Sequence, residues 1–276
     1  SIPSVVHEVK RLSSEGVREF NLIAQDSSFY GRDLNDGTTL ARLLKELVKI
    51  DNVKWIRLFY LYPTYFDDEL LEIITKEEKI CKYIDIPLQH ISDSVLRRMH
   101  RRDSSQSIKK LLKKLRNTTP YITIRTTLMV GFPGETEADF KELLTFIKAV
   151  KFDNMGAFTY SAQDGTPAAR MVDQVTEEIK ENRYHELMAA QAEISEENNR
   201  NLIGVDTEVL VEELLDDGCG NLQAKGRASF QAPEVDGNVY IDHPGDLRPG
   251  DFVKAHIIDG YAYDLIAERI TTDRGI

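Results

Sequence analysis

The chain has 276 residues, a mass of 31.5 kDa and a formal net charge of −11, with 41% hydrophobic and 29% charged residues. These values are typical of a globular protein with one large domain and one small one, and no apolar run reaches the ~18 residues of a membrane span. The first residues show neither an initiator Met nor the features of a signal peptide. We expect a cytoplasmic protein, and a sequence that is a piece cut from a longer one.

The two cysteines, Cys81 and Cys219, are too far apart for a CxxC-type metal motif and too few for a disulfide framework. We expect both to be small, partly buried hydrophobic residues and expect no metal ligands in this sequence.

Short apolar runs alternate with helical patterns as far as residue 160. Parallel strands need helical crossovers, so this order predicts a parallel sheet or an open, TIM-like βα barrel. Because the sequence opens on a helix, we expect a first strand and its rim loop upstream. The predicted strands are 17–24, 55–61, 83–87, 122–130 and 154–160. The predicted helices are 4–14, 39–50, 67–75, 93–116 with a break near residue 103, and 136–150.

The C-terminal part has a different pattern. A long helix is predicted over 176–201, followed from Val205 by about five short strands of period two, which suggests a small closed β-barrel of OB-like size. The predicted domains are therefore 1–203, with 176–203 as a bridge, and 204–276. From Gly204 onward the sequence has 15 acidic and 6 basic residues, which favours a basic partner over nucleic acid; a merely soluble surface is the alternative.

Polar residues collect at the predicted carboxyl ends of the strands, where βα sheets place their sites. There is neither a Schiff-base lysine nor a pair of neighbouring carboxylates, so this rim suits the binding of a polar molecule while a cofactor does the chemistry. Taken singly, each residue also has a structural explanation as a cap, an ion pair or a core side chain. The candidates are Gln25, Asp26, Gln89, His90, Ser92, Arg125, Thr126 and Tyr160.

The stretch VGFPGETEADF at 130–140 is a glycine-rich turn between a strand and a helix. It lacks the Lys-Ser/Thr of a Walker loop and the three glycines of a dinucleotide fingerprint. Thr136 and Asp139 have the spacing of a capping box. Gly131 ends the strand at the rim, where a missing side chain lets a planar ligand approach the backbone.

The stretch from Arg97 to Arg116 contains nine basic residues and one acidic residue, Asp103. They form either a phosphate-contacting face or a solvated helix flank, and the second is the commoner case.

Six segments carry a resemblance to a known family: QDSSFYG at 25–31, IRLFYLYP at 56–63, YIDIPLQHISDSVLRRMHR at 83–101, RTTLMVGFPGETEADF at 125–140, GAFTYS at 156–161 and QAPEVDG at 231–237. In this order, over the whole chain, they resemble the radical S-adenosylmethionine methylthiotransferases. PLQHIS and the acidic last domain favour the branch that modifies an aspartate of a small-subunit ribosomal protein. The tRNA-modifying branch is the alternative, and a metal-free barrel enzyme or binding module is a third.

The resemblance implies an open six-stranded βα barrel followed by a TRAM β-barrel. It implies S-adenosyl-L-methionine and 4Fe–4S clusters as cofactors, the cluster-binding CxxxCxxC lying upstream, so that this piece alone is expected to be inactive. In the intact family the 5′-deoxyadenosyl radical abstracts hydrogen from the aspartate β-carbon before a methylated sulfur adds there. The implied partner is a basic ribosomal protein, reached through the acidic TRAM domain, rather than tRNA or a membrane.

The resemblance also implies roles in a pocket for S-adenosyl-L-methionine. Gln25 and Asp26 would lie near the methionyl amino group, and Arg125 and Thr126 would face the barrel interior near the carboxylate. Gln89, His90 and Ser92 would face the ribose, and Gly131 and Phe132 would flank the adenine. Tyr160 would border the pocket.

Overall fold

The computed structural model describes residues 1–118, 121–216 and 222–270, and the chain divides into two compact units, Ser1–Met188 and Ala189–Ile276. The domain boundary at 203/204 stays a prediction. Cys81 is buried in the first unit, as expected, whereas Cys219 lies outside the described residues. No helix within those three ranges is both long enough and apolar enough to cross a bilayer.

A five-stranded parallel sheet forms the centre of the first unit, with the strands side by side in chain order. This arrangement confirms the predicted parallel βα architecture. The strands are β1 (Glu19–Leu22), β2 (Trp55–Leu58), β3 (Ile80–Asp85), β4 (Thr123–Val130) and β5 (Asn154–Thr159).

Helices connect successive strands, and their apolar stripes supply much of the core. Four of them begin at side-chain caps, because Thr39, Asp67, Ser104 and Thr136 accept hydrogen bonds from backbone N–H groups in the first turn. The helices are α1 (Ile2–Ser14), α2 (Leu40–Leu47), α3 (Asp68–Lys76), α4 (Asp93–Arg98), α5 (Ser105–Arg116) and α6 (Glu137–Val150).

Three strands differ from the prediction by two residues or more. β1 was predicted over 17–24 and is two residues shorter at each end. β2 ends at Leu58 because Tyr60 adopts a left-handed conformation (φ 53°), which turns the chain out of the sheet. β3 begins three residues earlier than predicted and ends at Asp85, before Pro87, which lacks the N–H that a parallel ladder requires.

The long helix α7 covers Glu177–Arg200, close to its predicted limits. After it, five strands form the closed β-barrel that the period-two pattern predicted, in the order β10-β8-β7-β6-β9. Its core consists of inward-facing aliphatic side chains, among them Val209, Val239 and Ile257. The strands are β6 (Asp206–Asp216), β7 (Leu222–Ala228), β8 (Val239–Asp242), β9 (Phe252–Gly260) and β10 (Leu265–Arg269).

Candidate functional site

A cavity of about 380 Å³ opens at the carboxyl ends of β3, β4 and β5. Its walls are apolar side chains and methionine thioethers, together with one amide, one imidazole, one hydroxyl and two guanidinium groups. A mostly apolar cleft with a few convergent polar groups is the usual form of a small-molecule site. The lining residues are Gln89, Arg98, Met99, His100, Arg101, Met129, Phe132, Phe158, Thr166, Pro167, Ala168 and Met171.

Two polar atoms at this cavity lack partners. Gln89 Oε1 and Arg101 Nε are buried and make no hydrogen bond with any described residue. Arg101 is otherwise fixed, since its guanidinium donates to the Pro87 carbonyl at 2.6 Å and lies 4.2 Å from the centre of the Tyr62 ring. Buried polar groups in native proteins almost always find partners, so a water molecule or a polar ligand is needed to complete these atoms.

Gln89 lies in the left-handed region (φ 68°) directly after β3. Its backbone N–H donates to Thr127 and its carbonyl accepts from Met129, both on β4, so the strained backbone is fixed to the neighbouring strand. Strain of this kind persists where the surrounding structure imposes it, and it collects at ligand sites.

The glycine turn after β4 is closed by a carboxylate of the same chain. Glu135 Oε2 accepts hydrogen bonds from the backbone N–H of Gly131 at 2.7 Å and of Phe132 at 3.3 Å. Two converging N–H groups at a helix start form an anion receptor. The buried Glu135 carboxylate occupies that receptor, which explains physically why this turn does not serve as a phosphate loop.

Two side chains of α7, Arg183 and Lys180, pack against the glycine turn after β4. Arg183 donates to Glu135 Oε1 at 2.9 Å and to its carbonyl at 3.2 Å, and the two side chains are only 8% and 0% exposed. Lys180 packs against Gly131, where an added Cβ would lie 2.3 Å from the lysine Cγ. The space left by the missing side chain is thus filled by Lys180, whereas a planar ligand was expected there.

Phe132 connects the glycine turn to the cavity, because it belongs to the turn and its ring forms part of the cavity wall. Its ring lines the cavity and meets the Tyr160 ring edge to face at 5.2 Å. The Tyr160 hydroxyl is buried and has no hydrogen-bond partner in the described part of the chain. Tyr160 belongs to a buried cluster against which the lining residues Met99 and Met129 pack, so it supports the cavity wall.

His90 and Ser92 lie behind the cavity wall and contact the same turn. The fully buried His90 accepts a hydrogen bond on Nδ1 from the Ser92 N–H at 3.0 Å, and its Nε2 lies 3.8 Å from Glu135 Oε2. Burial, and secondarily the charge of Arg183, lower the pKa of His90 to about 4, although Asp139 opposes this. His90 is therefore a neutral acceptor at neutral pH.

Burial also raises the pKa of Glu135, against the opposing effects of Arg183 and the two N–H groups.

The capping box predicted at Thr136 and Asp139 is confirmed. Ser92 Oγ donates to Asp139 at 2.5 Å and so ties the loop after β3 to α6. Burial tends to raise the pKa of Asp139, but the hydroxyls of Ser92, Thr136 and Ser94 hold it well below its usual range.

The expectation that Arg125 and Thr126 both face the barrel interior is wrong for Thr126, because consecutive residues of a strand point to opposite faces. Arg125 pairs with the buried Asp85 at 3.1 Å. Thr126 is fully buried, and its hydroxyl donates to the Ile86 carbonyl at 2.8 Å. Neither residue lines the cavity described above.

Gln25 is exposed after β1, and Asp26 begins a short 3-10 turn. Ser28 Oγ donates to Asp26 at 2.5 Å and accepts from the Tyr62 N–H, so this loop is tied to the loop after β2. The sequence-predicted set thus divides: Gln89 and Phe132 line the cavity, Tyr160, Gly131, His90 and Ser92 support it, and the others lie elsewhere.

Several cavity residues escaped the sequence prediction. In the sequence, Arg98 and Arg101 belong to a basic stretch with no assigned site, and Met129 and Phe158 lie within predicted strands; all four line the cavity. Period-two alternation along β4 and β5 could have placed the latter pair on the face of Arg125. Among the described residues, no group of three or more His, Cys, Asp or Glu side chains could hold a metal ion, and no ligand set there fits an iron–sulfur cluster.

Comparisons with known proteins agree with this architecture. The profile of the TRAM domain matches residues 203–270. The Escherichia coli coproporphyrinogen III oxidase (HemN), described as a radical SAM enzyme, superposes with a TM-score of 0.54 over 70% of this chain and 46% of its own, at 15% identity. At that identity the likeness concerns the fold alone.

Curated relatives are closer in sequence. The ribosomal protein uS12 methylthiotransferases RimO of Geotalea uraniireducens and Pelobacter propionicus are 48% and 49% identical to this chain over 267 residues. Each alignment covers 97% of this chain and 59% of the relative, so the chain spans about three fifths of their length. The profile of the radical SAM superfamily matches residues 1–147, more than half of the sequence. The chain belongs to the radical SAM superfamily.

Proposed function

We propose that the cavity at the carboxyl ends of β3 to β5 binds S-adenosyl-L-methionine. The observation that carries this proposal is the coincidence of an apolar cleft of about 380 Å³ with two unpartnered buried polar atoms, on Gln89 and Arg101. Membership of a superfamily defined by this cofactor supplies the ligand.

The lining residues divide by chemistry. Phe132, Phe158 and the methionines offer flat or polarizable apolar surface to an adenine ring. Arg101 offers a guanidinium edge to the methionyl carboxylate, the charge-assisted pairing that arginine makes best. Gln89 Oε1 is an acceptor suited to a ribose hydroxyl or an ammonium group.

Of the other residues proposed from the sequence, four support the cavity without lining it. His90, Ser92, Gly131 and Tyr160 hold the turn and the wall in place. Gln25, Asp26, Arg125 and Thr126 lie outside the cavity lining, so we propose for them at most an indirect role.

We further propose that the intact enzyme transfers a methylthio group to an aspartate of ribosomal protein uS12. The support is the identity of 48–49% to relatives that carry this name. S-adenosyl-L-methionine, when bound, is the precursor of the radical. The residues of this chain orient the bound molecule and exclude water from it. No ligand set for a cluster occurs among the described residues, and we propose that this piece alone is inactive.

The segment from 204 onward is proposed to contact the substrate as a domain of its own. Its excess of acidic residues complements a basic ribosomal protein. A ribosomal substrate would place the reaction in the cytoplasm. The tRNA-modifying alternative is kept, because basic side chains are exposed on α5.

Mass spectrometry tests the transfer. The intact enzyme, reconstituted anaerobically with iron and sulfide and supplied with S-adenosyl-L-methionine and with dithionite as the electron donor, is incubated with uS12 or with unmodified tRNA. The proposal expects the mass of one methylthio group on an aspartate-containing peptide of uS12. Modification of tRNA with none on uS12 would support the alternative instead.

A further inference from the structure

Four side chains meet at the same rim, beside the cavity, in a group that we call the aromatic–arginine cluster: Phe29, Arg32, Tyr65 and Arg102. Tyr65 is half-buried and the other three are exposed. The Phe29 and Tyr65 rings meet edge to face at 5.3 Å. The Arg32 guanidinium carbon lies 4.7 Å from the centre of the Tyr65 ring, and Arg102 donates to the Tyr65 hydroxyl at 3.2 Å. Phe29 follows β1, Tyr65 follows β2, and Arg102 precedes α5, so the cluster joins three separate loops.

The cluster leaves both charge and apolar surface in solvent. Phe29 is 42% exposed, and Arg32 and Arg102 are both exposed. Neither guanidinium has a carboxylate of the described residues within ion-pair distance, unlike Arg98, Arg116 and Arg125 in the same unit. In a chain with a net charge of −11, two unpaired arginines on one aromatic ring form a local cationic, stacking surface.

This chemistry identifies the kind of partner. Proteins bind single-stranded nucleic acid with aromatic rings that stack on bases and with cations that contact phosphates. A basic ribosomal protein would be repelled by Arg32 and Arg102, whereas the RNA that surrounds such a protein is complementary to them. The cluster is also adjacent to the cavity, because Arg102 directly follows Arg101 in its wall.

We propose that the aromatic–arginine cluster binds single-stranded RNA next to the substrate aspartate. An unpaired base stacks on the exposed Phe29 ring, and Arg32 and Arg102 contact neighbouring phosphates. The inference rests on the proposed function, since the ribosomal substrate is what brings RNA to this rim. The RNA contact helps to select a uS12 that is already bound to RNA.

Fluorescence anisotropy of a labelled oligouridylate of about 12 nucleotides tests this, a length within the usual range of single-strand sites. Titrations with the full chain at about 50 to 300 mM KCl should give an affinity that falls with salt. The double variant Arg32→Ala/Arg102→Ala should bind about tenfold more weakly, with a salt slope smaller by about 1.4, or about 0.7 for each lost phosphate contact. Phe29→Ala should weaken binding at least fivefold through loss of one stacked base.

The matched control is Lys110→Ala/Lys113→Ala, which removes the same charge from the exposed face of α5. The proposal expects wild-type affinity and slope from this control. No binding by the wild type at the lowest salt would overturn the proposal, and so would a loss in the lysine control as large as that in the arginine variant. Tight competition by an acidic peptide would also overturn it, in favour of a protein partner.

Two further measurements separate binding from folding and from the proposed function. Arg102→Lys keeps the charge and should retain most of the RNA affinity even where alanine perturbs the loops. Methylthio transfer to isolated uS12 should be unchanged in the arginine variants. If RNA binding fails while that transfer persists, only the RNA proposal is lost.

Discussion

The substitution Glu135→Gln tests whether a buried carboxylate holds the glycine turn. A glutamine has the same shape but carries an N–H₂ where the carboxylate has an acceptor. The Gly131 and Phe132 N–H groups point at one oxygen and Arg183 at the other, so the amide must place a donor against at least one donor. The variant also removes the buried partner of Arg183, a side chain only 8% exposed, and leaves it the exposed Glu137 carboxylate at 3.5 Å.

Removing one partner of a buried ion pair costs about 3 to 5 kcal/mol. For a unit of this size, about 3 kcal/mol corresponds to a fall in Tm of roughly 6 to 12 °C. The matched control is Glu137→Gln. Glu137 lies 3.5 Å from the same arginine but is 64% exposed, so its loss should cost less than about 1 kcal/mol.

Urea unfolding followed by circular dichroism, with a parallel titration of S-adenosyl-L-methionine, measures both effects. Glu135→Gln should lower the unfolding midpoint and weaken ligand binding, because the turn aims Phe132 at the cavity. The double variant Glu135→Gln/Arg183→Met, which removes both charges, should recover much of the stability. Equal stability of the Glu135 and Glu137 variants would refute the reasoning.

Three further predictions concern neighbouring residues. The pKa of His90 is about 4 in the fold and 6.5 in the unfolded chain, so the unfolded chain binds the proton first as pH falls. About 3 kcal/mol of folding stability, fully present above pH ~6.5, should therefore be lost by pH ~4. Urea midpoints for wild type and His90→Gln should therefore converge on acidification, and parallel pH profiles would contradict this. Gly131→Ala should lose about 1 to 3 kcal/mol of stability, measured by urea unfolding, because of its positive φ and the contact with Lys180, and a neutral result would be inconsistent with the packing. Gln89→Gly should keep or raise Tm by relieving φ 68° while weakening S-adenosyl-L-methionine binding in calorimetry, and unchanged affinity would remove Gln89 from the site.

The parts of the fold that depend on local patterns were predictable from the sequence. The capping box at Thr136 and Asp139 is formed, and the predicted break near Asp103 separates α4 from α5. The early start of β3 was hidden by Lys82, a polar residue inside an apolar run. Its ammonium group donates to three carbonyls at the end of α3 and the start of β3, a use that only the folded chain provides.

The site was less predictable because its contacts span long distances in sequence. Glu135 and Arg183 are 48 residues apart, and Arg101 is fixed at the cavity by contacts with Pro87 and Tyr62 in other loops. No local pattern announces such pairs. The error at Thr126 was avoidable, however, because strand alternation alone separates it from Arg125.

Isothermal titration of S-adenosyl-L-methionine into the wild-type chain and the Arg101→Gln variant tests the central claim most directly, with Arg97→Gln on the exposed face of α4 as the control for charge. The cavity account predicts saturable binding with one site, at least tenfold weaker in Arg101→Gln and unchanged in Arg97→Gln. Absence of binding to the wild type, or equal affinity in all three proteins, would contradict the assignment of this cavity to the cofactor.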